Sequence, residues 1–155
     1  MAKVNPIPEG YPRVIPYLAV DGANAAIEFY KRVLGATERM RMDGPDGKVG
    51  HAELEIGESI VMLADSFPEM GNTTPKALGS TPVTVMVYVE DVDDVYSRAL
   101  AAGATADRPV ENQFYGDRSG QFTDPFGHKW FVATHVEDVS PDEMAKRAAA
   151  SMQGG

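Results

Sequence analysis

The chain has 155 residues, 43% of them apolar and 24% charged, with a formal net charge of −9. This is the composition of a folded globular protein, and the length suits one domain or two small modules sharing a plan. The acidic balance speaks against nucleic acid, whose phosphates call for a Lys/Arg surplus, and against an anionic membrane surface, while the absence of cysteine removes disulfides, thiolate nucleophiles and Cys-type zinc sites.

Residues 1–13 contain no apolar signal-peptide core, and no apolar run approaches the ~20 residues that span a bilayer, so a cytoplasmic protein is expected. Residues 14–20 form a β-branched, apolar run that predicts a buried strand. Asp21 then stands where a helix N-cap belongs. Ala26, Ile27, Tyr30, Val33 and Leu34 follow at helical spacing, so residues 22–34 predict an amphipathic helix, closed by Gly35. Residues 36–43 predict a second strand and Gly44-Pro45-Asp46-Gly47 a turn.

Residues 49–56 alternate, with His51, Glu53 and Glu55 on one face and Ala52, Leu54 and Ile56 on the other. A two-residue Gly57-Glu58 hairpin would set Glu53 opposite Met62, whereas a bulge at Gly57 would move the register. Residues 59–65 return as a fourth strand. Residues 66–82 hold three prolines and little periodicity, and are read as a long loop or linker.

The same order then recurs. Residues 83–89 predict a strand. Asp91 caps a helix whose Val92, Val95, Tyr96 and Ala99 share a face, ending at Gly103. Strands follow at 104–110, 118–123 and 128–135, the last two joined by Asp124-Pro125-Phe126-Gly127. The repeat leaves a trace in the letters: YKRVLGAT at 30–37 and YSRALAAGAT at 96–105. The fold class is therefore α+β: two βαβββ modules, 11–66 and 83–136, joined by the linker 67–82, forming a curved mixed sheet around a cleft with helices outside. In the tail, 137–155, Ser140-Pro141-Asp142-Glu143 is a capping box with Pro at the first helical position, so a short helix should follow.

This organisation resembles the vicinal oxygen chelate superfamily, which includes glyoxalase I, bleomycin and fosfomycin resistance proteins and extradiol dioxygenases. The pieces that carry the resemblance are Ala26-Ile27-Glu28-Phe29-Tyr30 through Leu34-Gly35-Ala36, Gly50-His51-Ala52-Glu53-Leu54, and Tyr115-Gly116-Asp117-Arg118-Ser119-Gly120 with Asp124-Pro125-Phe126-Gly127-His128. The last run is similar to the PhnB-like branch. The resemblance implies a homodimer and, in many members, a divalent metal held by His, Glu or Gln from the first and last strands of each module. The corresponding positions here are Ile15, Val61, Val85 with Thr84 beside it, and Phe131. None is a ligand for a hard or borderline metal.

A cleft that binds a small organic molecule without metal is therefore expected, with no cofactor assigned. Ile15, Phe131 and Tyr115 would supply apolar and aromatic lining. His51, Glu53, Asp117 and Arg118 would supply polar anchors. Arg118, whose planar fork can hold a carboxylate, would be oriented by Asp117. The alternative is a metal-dependent lyase, isomerase or dioxygenase with a displaced site at His51, Glu53 and Asp65. No catalytic residue is assigned. His128 and His135 are read as structural, with His135 placed to touch the tail.

Overall fold

A computed structural model describes residues 4–153. The chain divides into two compact units at Ser80/Thr81, and each carries its own four-stranded mixed sheet with one long helix against it.

In the first unit, β1 (Tyr17–Val20), β2 (Thr37–Asp43), β3 (Val49–Ile56) and β4 (Ser59–Asp65) are ordered β1-β4-β3-β2, with β1 parallel to β4 and the other pairs antiparallel. The first strand is shorter than the apolar run suggested, because Val14 stays in solvent. Helix α1 (Ala23–Leu34) buries Ala26, Ile27, Tyr30, Val33 and Leu34, the face its spacing predicts. Each large aliphatic side chain removed from water there contributes about 1.5–3 kcal/mol. Gly35 closes the helix in the left-handed conformation.

The start of α1 differs from expectation. Its N-cap residue is Gly22, at φ 95, and no side chain at that position caps it. Asp21 instead accepts a hydrogen bond from the Thr74 hydroxyl. The capping carboxylate comes from the end of β4: Asp65 Oδ1 accepts from the Gly22 and Ala23 amides at 2.9 and 2.8 Å, and Oδ2 from the Val49 amide at 2.7 Å. One carboxylate thus neutralises the helix start and ties it to β3 and β4.

The stretch read as an irregular linker is partly ordered. It contains a 3₁₀ turn (Pro68–Met70) and a four-residue helix, α2 (Pro75–Leu78), capped by the buried Thr74. The Thr74 hydroxyl serves two partners, donating to the Asp21 carboxylate and accepting from the Ala77 amide, which fixes the segment onto the first unit.

The second unit repeats the plan: β5 (Thr84–Tyr88), α3 (Val92–Ala101), β6 (Thr105–Asn112), β7 (Asp117–Thr123) and β8 (Lys129–His135), in the order β5-β8-β7-β6. Here Asp91 does cap its helix, accepting from the Asp94 amide, and Thr134 Oγ1 accepts from the Val92 amide. Thr134 thus takes the place on the last strand that Asp65 takes in the first unit. Helix α4 (Pro141–Gln153) follows, with Ser140 capping it through the Glu143 amide. Arg147 of α4 reaches Glu137 and the Phe114 carbonyl. Among the described residues no helix is long and apolar enough to cross a membrane.

Candidate functional site

Alternation and register decide what each sheet presents. In the first unit Glu53 pairs with Met62, so Gly57-Glu58 is the two-residue hairpin without a bulge; the irregularities lie between β2 and β3 instead. Leu18, Val20, Ala52, Leu54, Val61 and Leu63 are buried on the α1 side. The opposite face carries a row formed by Tyr17, Met62, Glu53 and Met40, with His51 and Met42 in the next row.

Glu53 is 4% exposed, an unusual position for a carboxylate on an outward sheet face. It is covered by Tyr11, whose hydroxyl donates to Oε1 at 2.7 Å. Arg39 holds that cover down, with its guanidinium 4.4 Å above the Tyr11 ring and one nitrogen on the Gly10 carbonyl. Oε2 meets His51 Nε2 at 2.9 Å, and His51 Nδ1 meets the Tyr17 hydroxyl at 2.8 Å. The His51 contact, helped by Tyr11 and Arg39, keeps the Glu53 carboxyl below its usual range despite burial. An ionised carboxylate only accepts, so Nε2 carries hydrogen; a neutral imidazole then offers Nδ1 as an acceptor to the Tyr17 O–H. Desolvation, and then the charge on Glu53, raise the Tyr17 phenol above its usual value. Tyr11 is raised chiefly by its bond to Glu53.

Beside this chain lies a cavity of about 540 Å³, walled by Tyr17, Gly44, Gly50, Ala64, Phe67 and Met70. The glycines matter to its shape. A Cβ on Gly44 would stand 3.2 Å from the Phe67 ring and 3.3 Å from the Gly50 nitrogen, so the missing side chain lets the ring lie against backbone. Phe67 is further fixed by its amide, which donates to Asn72 Oδ1 at 2.7 Å.

The second unit holds a different cluster on the corresponding face. Asp117, 3% exposed, accepts from the Tyr88 hydroxyl at 2.8 Å and from His135 Nδ1 at 2.8 Å, while His135 Nε2 bonds Asp138 at 2.7 Å. His135 is therefore held between two carboxylates, which raise its pKa above the ordinary 6.5. Its contribution to stability is complete below about pH 6.5 and is lost as pH rises through the higher folded-state value. Urea midpoints compared between about pH 6 and 9 should fall in the wild type relative to His135→Gln; parallel profiles would rule this out.

The residues singled out from sequence do not all meet. His51 and Glu53 do, and Tyr11 and Tyr17, which the alternation could not supply, complete their set. Asp65 does not join them, because both its oxygens serve backbone amides, so the three ligands expected of a displaced metal site are not brought together. Asp117 and Arg118, adjacent in a strand, face opposite ways. Arg118 pairs with Asp93 on α3 at 2.8 and 2.9 Å rather than with Asp117, and the pairing lowers the Asp93 pKa. Phe131 shares the face of Asp117 and is half-buried; Trp130 points to the helix side with its indole on Asp124. Tyr115 lies in the turn before β7, packed edge-on against Phe114, and Ile15 precedes β1, half-buried.

The positions that the resemblance assigns to metal were tested by their chemistry. Val61 pairs with Leu54 and Val85 with Trp130, so both are turned to the buried side. Their outward neighbours are Met62, Thr84 and Met86, which with Ile15 and Phe131 offer no carboxylate or imidazole. Among the described residues no three His, Asp or Glu side chains converge in a metal-holding group. The residues present do not fit the ligand set of the metal-dependent members.

Comparison with known proteins agrees with the architecture. A family model described as the glyoxalase/bleomycin resistance protein/dioxygenase superfamily matches residues 12–132. The uncharacterized protein Rv0887c of Mycobacterium tuberculosis is 47% identical over 146 residues, covering 92% of this chain and 85% of that one. Among solved structures, TioX from Micromonospora sp. ML1 superimposes with a TM-score of 0.62 at 28% identity, over 83% of this chain and 100% of that chain. The PhnB protein from Bacillus cereus gives 0.64 at 17% identity, over 79% and 99%. With the twice-repeated βαβββ plan and a match over most of its length, the chain belongs to the glyoxalase/bleomycin resistance protein/dioxygenase superfamily.

Proposed function

We propose that the chain binds a small organic ligand at the outward sheet face of its first unit, without a metal. The observation that carries this reading is the cavity of about 540 Å³ beside Tyr17, Phe67 and Met70. Its size suits a drug-sized or smaller molecule. Its wall sets Tyr17, Phe67 and Met70 beside Gly44, Gly50 and Ala64, Glu69 and Asn72 add polar groups, and the Tyr17 hydroxyl is held by His51. Tyr17 and Phe67 supply faces for a planar group, and the Glu69 carboxylate favours a ligand with a positive or donor group. The family's metal ligands have no counterpart here, so no step is routed through an ion. Membership of the PhnB-like branch and pairing into a homodimer are proposed on the resemblance alone.

A library of small organic compounds, screened by thermal unfolding, tests the reading. At least one compound should raise Tm, with the same affinity in excess EDTA and a weaker one in Phe67→Ala. Binding that disappears in EDTA would overturn the metal-free reading.

A further inference from the structure

Both units build a cluster of one carboxylate, one imidazole and one phenol on the outward sheet face, but in different orders. In the first unit the imidazole is central: Glu53–His51–Tyr17, with links of 2.9 and 2.8 Å. In the second the carboxylate is central: His135–Asp117–Tyr88, with links of 2.8 and 2.8 Å. The order decides the chemistry. A carboxylate is too weak a base to draw a proton from a phenol near neutral pH, whereas an imidazole backed by a buried carboxylate can take it as the phenol oxygen attacks. The arrangement in the first unit has the logic of nucleophile, base and orienting acid.

Three details favour Tyr17 as the working end. Its ring forms part of the cavity wall and is 55% exposed, so an electrophile can reach it. Glu53 is 4% exposed and its other oxygen is fixed by Tyr11, so the carboxylate cannot swing away from His51. The His51 and Tyr17 rings stand 5.5 Å apart at 39°, close enough for the hydroxyl to stay on Nδ1.

We propose that Tyr17 is a base-activated nucleophile and that the cavity takes a small activated acyl compound, such as an aryl ester, as a substrate. The proposal rests on the reading that this cavity holds a small organic molecule. Tyr17 Oη forms a bond to the acyl carbon while its proton passes to His51 Nδ1, and Glu53 stabilises the imidazolium. The bond to the leaving oxygen breaks, and that oxygen takes the proton from Nδ1. Water then attacks the tyrosyl ester, delivering a proton through His51, and the carboxylic acid leaves with the phenol restored. The sum is hydrolysis of an ester, with no change of oxidation state.

The probe is 4-nitrophenyl acetate, with acetylated tyrosines located by peptide mass mapping. Tyr88 is the internal reference, because it is 60% exposed and its hydroxyl also lies on a polar side chain. Tyr17 should acquire acetyl about tenfold faster than Tyr88 or more, with release of 4-nitrophenol in step. His51→Asn should remove that advantage, Glu53→Gln should reduce it, and Tyr88→Phe should leave Tyr17 labelling unchanged. Equal labelling of the two tyrosines in the wild type, which needs no variant to fold, would overturn the proposal, as would an advantage that survives His51→Asn. A chain that binds library compounds but labels Tyr17 no faster than Tyr88 keeps the binding reading and loses this one; equal labelling together with no library binder loses both.

Discussion

Asp65→Ala should lower the unfolding free energy by about 3–5 kcal/mol, a large share of the 5–15 kcal/mol typical of such domains. Its carboxylate accepts from three backbone amides, two at the start of α1 and one at the start of β3. The Ala23 and Val49 amides are buried, so water cannot replace the lost acceptor without entering the core. The charge also faces the positive end of the α1 dipole. Asp65→Asn should cost about half as much: one oxygen can still serve the helix amides, but the new amide group meets the Val49 N–H donor to donor. Asp21→Ala should cost only about 0.5–1 kcal/mol, since Asp21 accepts from a single hydroxyl. Urea unfolding of the three variants separates the cases. An Asp21 variant as damaged as the Asp65 variant would mean that the cap has been misplaced.

Asp124→Ala should cost about 3–4 kcal/mol by a parallel mechanism in the second unit. Asp124 Oδ1 accepts from the Phe126 and His128 amides at 2.9 and 3.0 Å, and Oδ2 from Trp130 Nε1 at 2.8 Å. Trp130 is 1% exposed, so its indole N–H would be left in an apolar surround. The carboxylate therefore holds the β7–β8 turn and one of the largest side chains of the core together. Trp130→Phe made in the Asp124→Ala background should cost less than in the wild type, and the difference measures the indole bond. Unfolding followed by circular dichroism gives both numbers, and the single tryptophan makes fluorescence of the Asp124 variant a direct report on this site. Strictly additive losses would show that the indole bond contributes nothing to stability.

The two capping carboxylates also show which parts of the structure a sequence exposes. Asp124 sits in a Pro-Phe-Gly turn, and its local bonds span two and four residues. Asp65 reaches a helix 42 residues earlier in the chain. The repeat made Asp21 and Asp91 look equivalent, yet only Asp91 caps, because Gly22 and Asp65 take over that function in the first unit. Helix faces, the Gly57-Glu58 register and the shared face of His51 and Glu53 follow from period and turn length, which are local properties. The opposite facing of Asp117 and Arg118 was equally legible, since neighbours in a strand alternate. The cover of Tyr11 over Glu53, the reach of Tyr17 to His51, and the Phe67 wall are tertiary contacts between segments that carry no periodic signal. The long stretch after β4 hid the most useful site information. Its prolines mark turns, whereas Thr74 and Phe67 anchor it through partners that no spacing rule identifies.

The proposal that the site works without a metal is tested most directly by thermal unfolding of chelator-stripped protein titrated with Mg²⁺, Mn²⁺, Fe²⁺, Co²⁺, Ni²⁺ and Zn²⁺, beside His51→Ala. An ion at 100 times its Kd would stabilise by about 2.7 kcal/mol, several degrees in Tm for a chain of this size. Apolar side chains at the usual ligand positions, and a His51–Glu53 pair already committed to Tyr17 and Tyr11, predict no shift with any ion. A shift of several degrees that vanishes in His51→Ala would contradict this, and would return the site to the metal-dependent chemistry of its superfamily.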